Sequence, residues 1–165
     1  MYFRLKRFTV SFSMLVFLSA PVAVHGQNNK PTKDLEGEAE YTYVLTVEKF
    51  KKLEEVRKAF GEWSDRNEQA TERLQKDKSL AEGTLTEQVK VLNIKYPEFT
   101  AIIPKHGLSI WEYLLGSRVE IHAMLLLDAR KQGETKDFAK NVNPANLAFV
   151  ERHHEEILKN IHFKM

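Results

Sequence analysis

Positions that suit a buried face recur at three- and four-residue steps through Phe50, Leu53, Val56, Phe60, Trp63, Asn67, Thr71 and Leu74. They lay one stripe along a helix predicted to run from about Val47 to about Lys76. Gly61 lies inside it, at a cost of about 1 kcal/mol relative to alanine, and marks either close packing or a break. Thr84 followed by Glu87 has the form of a capping box, and Leu85, Val89, Leu92 and Tyr96 then share a face until Pro97, which predicts a short second helix. Pro97 fits the first turn of a further segment, Glu98 to Lys105, made irregular by Pro104 and ended by His106 and Gly107.

Ser109 and Glu112 form the strongest helix start in the chain, and that helix is predicted to continue to Gln132 with Gly133 as its stop. Ile110, Leu114, Ile121, Met124 and Leu125 make one face, which Trp111, Leu115, Val119 and Leu126 widen. An arc that wide belongs to the most buried helix of its domain. Residues 134–142 read as a loop, and Asn143-Pro144 as the N-cap and first turn of a last helix to about Ile161. Its stripe is Leu147, Val150, His154, Ile157, Leu158 and Ile161. Four helical units without a strand pattern predict an all-α domain over residues 43–165, an antiparallel bundle of about four helices.

The first residues follow another rule. Arg4, Lys6 and Arg7 precede an apolar run from Phe8 to Ala20, Pro21 breaks it, and Val24 and Gly26 put small side chains before Gln27. That order predicts a cleavable signal peptide at residues 1–26 and a periplasmic or secreted product; the alternative is an uncleaved anchor helix, against which the short run and Pro21 argue. No cysteine follows the run to carry a lipid. Beyond the signal nothing is apolar for 18 residues, so no stable membrane span is expected. Residues 27–42 are rich in Asn, Lys, Pro, Gly and Glu and read as a flexible leader, too poor in apolar side chains to offset the entropy of ordering.

The signal changes the charge balance. It holds three of the 25 basic residues and none of the 23 acidic ones, so the remaining 139 residues carry 22 basic and 23 acidic side chains. A nearly neutral domain has no electrostatic footprint for nucleic acid. The chain has no cysteine, which excludes disulfides, thiol catalysis and covalent c-type haem, and suits a bacterial periplasm.

The pieces HGLSIWEYLLG at 106–116, VNPANLAFVERHHEEI at 142–157 and YVLTVEKFKKL at 43–53 resemble a group of small exported bacterial helical proteins. The resemblance implies fold and location and assigns no activity.

Candidate chemistry rests on few residues. His154 falls near the centre of the last stripe, where an imidazole needs a partner: a neighbour in the core, or a metal or haem. Glu151 and His154 have the Glu-x-x-His spacing of diiron bundles, but only one copy is present. Arg118 and His122 lie one turn apart at the edge of the buried helix's arc, and Asp128 projects onto its middle. Either these groups pair with neighbours and fix the helix register, or Arg118 anchors a small anionic ligand in a polar pocket. Met124, His122 and His154 could ligate a noncovalent haem. No nucleophile elbow, phosphate loop or His-Glu-x-x-His motif is present. The leading expectation is an exported, non-enzymatic helical module binding a protein or a small ligand, without a cofactor; the rival is a bundle with haem or metal at inward-facing histidines.

Overall fold

The computed structural model describes residues 30–134 and 137–160, with side chains over 36–134 and 139–159. The described part is all-α and contains no strand. The signal-peptide expectation lies outside the described residues. In chain order the helices are α1 (Lys30–Thr42), α2 (Val47–Arg66), α3 (Glu68–Lys76), α4 (Lys78–Glu82), α5 (Leu85–Lys95), α6 (Pro97–Thr100), α7 (Ile110–Lys131) and α8 (Pro144–Asn160). Two 3₁₀ turns, Ile103–His106 and Asp137–Asn141, flank α7.

Side-chain caps place most boundaries. Thr46 accepts from the Lys49 N–H to open α2, and full capping boxes of Thr84 with Glu87 and Ser109 with Glu112 open α5 and α7. Gly107 and Gly133 adopt left-handed φ of 70° and 72°, which lets the chain reverse after the first 3₁₀ turn and after α7. Asn143 Oδ1 accepts from the Ala145 N–H at 2.8 Å and starts α8.

Two expectations are corrected. The first predicted helix is two, and the break is at Asn67; Gly61 lies within continuous α2 and an added Cβ there would meet nothing within 4 Å. Asn67 donates its side-chain amide to the Trp63 carbonyl at 2.8 Å, which takes an acceptor from the helix ladder and favours a non-helical backbone. Residues 30–42, within the expected flexible leader, form α1, whose Glu36 and Glu40 are buried. Ionic contacts order this segment where apolar ones are scarce.

The wide apolar arc of α7 predicts its place. It contacts α1, α2, α5 and α8, and buries Leu114, Leu115, Val119, Ala123, Met124, Leu126 and Leu127. Phe50, Leu53, Val56 and Phe60 of α2 are buried in the same core, and Phe60 stands edge-on to Phe99 of α6 at 4.6 Å between ring centres. Each fully buried Leu contributes about 1.5–3 kcal/mol relative to exposure, which makes this seam the main source of stability.

Candidate functional site

Two groups of ionised side chains meet α7 below the surface. The deeper one joins α2 to α7. Arg57 occupies a stripe position between Leu53 and Phe60, and its two terminal nitrogens donate to the two oxygens of Glu120 at 3.0 and 2.9 Å. Glu120 is 0 % exposed. Glu54, one turn before Arg57, is its second carboxylate partner. Burial alone would lower the Arg57 guanidinium, but Glu120 and then Glu54 hold it above its ordinary value. Burial, with Glu120 and Glu156 adding, holds the Glu54 carboxyl above its ordinary value in spite of Arg57.

Arg57 Nε and the Tyr43 hydroxyl are buried with no hydrogen-bond partner among the described residues. Burial, with Glu112 and Glu120 adding, pushes the Tyr43 phenol up to about 12. The hydroxyl sits over Gly116, where any Cβ would stand 2.9 Å from it. Gly116 is thus the point at which the α1–α2 connection approaches α7.

The second group contains two of the three sequence candidates on α7, Arg118 and His122. Arg118 Nη1 faces Glu40 at 3.3 Å and Glu36 at 3.4 Å, and its Nη2 donates to the Gln88 side-chain oxygen at 3.4 Å. His122 Nδ1 lies 2.9 Å from the other oxygen of Glu40. Glu36 also accepts the Leu85 N–H at 2.7 Å and so satisfies a free donor in the first turn of α5. Gln88 donates to the Leu80 carbonyl at 2.6 Å, tying α5 to α4. Burial raises the Glu40 carboxyl, yet His122 and Arg118 together outweigh it and leave it below the ordinary carboxylate range.

The other two candidates lie elsewhere. Asp128 does not occupy the middle of the buried arc: it is exposed, because Leu127 and Ala129 take the inward positions at the end of α7. His154 is half-buried beside it, with Nε2 4.0 Å from Asp128 Oδ1. His153 is the imidazole that meets the core, stacked on Phe149 with ring centres 4.4 Å apart and 6.3 Å from Phe50. Leu158, expected in the α8 stripe, is 45 % exposed, while Phe149 is buried in its stead.

The chemistry of these groups is pairing. Arg118 already faces two carboxylates, which repel an anion approaching it, so of the two readings these contacts fit pairing between helices better than an anionic pocket. Among the described residues no group of three or more acidic or histidine side chains is placed to hold a metal ion. An open depression along α8 is lined by Glu151, His154, Glu155 and Lys159 among others. No described helix is long and apolar enough to cross a membrane.

Sequence reasoning missed Arg57, Glu120, Glu36 and Glu40. The stripe position of Arg57 was a usable signal; the carboxylates of α1 carried none, since the Arg118 and His122 they face lie 78 to 82 residues away. Comparison with protein-family models, curated proteins and solved structures finds no match to this chain.

Proposed function

We propose that this chain is exported by its signal peptide and acts, in the periplasm or outside the cell, as a non-enzymatic antiparallel helical bundle that binds another protein. The observation that carries the reading is the engagement of Arg118 and His122 by the carboxylates of α1. The side chains best suited to ligand chemistry instead join helices.

Function then falls to the surface. Leu125 of α7 and Leu158 of α8 are 38 % and 45 % exposed, and each lies one turn from the Asp128 and His154 pair that bridges the two helices. Apolar side chains on such a seam, beside a polar pair, support recognition of a partner with an apolar centre and a polar rim.

The test is co-purification from the exporting cell, comparing the parent with the double variant Leu125→Glu and Leu158→Glu. A stoichiometric protein partner is expected with the parent and lost with a variant whose helical spectrum is unchanged. A variant that keeps its partner overturns this surface. Haem or metal bound in the parent supports the rival reading, a cofactor held by inward histidines.

A further inference from the structure

Helix α1 is fastened unlike the other long helices. Over its described side chains, residues 36–42, it buries two carboxylates, Glu36 and Glu40, and half-buries Ala39, while Glu38, Tyr41 and Thr42 are exposed. By contrast α2, α7 and α8 are held chiefly by buried apolar side chains.

Among the described residues, Arg118 and His122 of α7 and the Leu85 N–H of α5 face the two carboxylates, and the uncharged Gln88 of α5 accepts from Arg118. From the second 3₁₀ turn comes the uncharged Asn141, beside Gly37, while Lys140 of that turn is exposed.

The last turn of α1 and the chain just after it are anchored independently. Asn143 donates to the Tyr41 carbonyl at 2.7 Å, and Asn146 bonds the backbone of Tyr43 and Leu45 at 2.7 and 2.8 Å. Movement of α1 therefore stops at this anchor, short of α2.

We propose that α1 is a releasable strap, which leaves α5 and α7 as one unit when Glu36 and Glu40 lose their charge, turning about the segment anchored at residues 41–45. Its release uncovers Arg118, Gln88 and the Leu85 N–H, a surface that recognises carboxylates. The lowered Glu40 value has the matching sign: docking is complete above the ordinary carboxylate range and is lost as pH falls through the lowered value.

Segment-resolved hydrogen exchange on the full chain, expressed as protection factors, tests this. Comparison is made at neutral pH and in steps of falling pH that continue well below the ordinary glutamate value. Acid, and the double variant Glu36→Gln and Glu40→Gln at neutral pH, should each cut protection of residues 30–42 by at least about tenfold, since charge-assisted buried hydrogen bonds are lost. Protection in α2 and α7 should hold, and Glu38→Gln, which alters an exposed carboxylate of the same helix, should leave α1 unchanged. The strap is overturned if residues 30–42 keep their protection, if they open only together with α2 and α7, or if Glu38→Gln loosens them equally.

Discussion

The side-chain oxygen of Asn146 accepts the N–H of Leu45 at 2.8 Å across 101 residues of sequence, and its nitrogen donates to the Tyr43 carbonyl at 2.7 Å. One fully buried carboxamide at the start of α8 thus satisfies both backbone groups of the extended segment that enters α2. Asn146→Ala leaves a buried N–H and a carbonyl unpaired and should cost about 2–4 kcal/mol in denaturant unfolding. Asn146→Asp should be worse than Asn146→Ala, because a carboxylate cannot donate to Tyr43 and resists burial.

The Arg57 and Glu120 pair makes a contrasting prediction. Either single replacement, Arg57→Met or Glu120→Leu, strands a buried charge and should destabilise by about 3–5 kcal/mol. The double replacement should cost less than either single one, since both charges leave together. A double-mutant cycle reads this directly; additive costs would mean that the pair is not coupled.

Gly116 is tied to Tyr43. An added methyl at Gly116 would stand 2.9 Å from the Tyr43 hydroxyl and 3.2 and 3.3 Å from the two methyls of Leu53, so Gly116→Ala should cost about 1–3 kcal/mol. Tyr43→Phe removes an unpartnered buried hydroxyl and should be neutral or stabilising by up to about 1 kcal/mol. Combining the two should recover part of the Gly116→Ala loss, which thermal unfolding can measure.

The histidines of α8 reverse their sequence ranking. His153→Ala gives up the stack on Phe149 and should cost about 0.5–1.5 kcal/mol beyond its buried area. His154→Ala gives up a part-buried side chain and a long contact to an exposed Asp128 but no ring stack, and should cost less than His153→Ala. Equal losses, or a larger one at His154, would place the imidazoles the other way round.

What the sequence makes legible is whatever acts over one helical turn. The Thr84 and Ser109 capping boxes, the glycine stops at 107 and 133, the Asn143 cap and the wide arc of α7 all depend on residues three or four apart. The turn at Asn67 was less visible than Gly61, because propensity ranks glycine as the weaker helix former while a competing side-chain hydrogen bond decides the break. Apolar periodicity is blind to charge pairing, so α1 read as too polar to order, and Arg57 gave no hint of a carboxylate 63 residues away. Of the four candidates, Arg118 and His122 lie half-buried on α7, at the edge of the apolar arc where their spacing placed them. Asp128 was turned to solvent by a small error of helical phase near the end of α7, while His154 lies part-buried beside it.

The proposal of an exported, partner-binding module is tested most directly by native mass spectrometry of the protein isolated from outside the cytoplasm, with an absorption spectrum of the same sample. The account predicts a polypeptide beginning near Gln27, held noncovalently to a second protein, with no haem band and no stoichiometric metal. A chain that still begins at Met1, or one that carries haem or a bound metal in place of a protein partner, would contradict it.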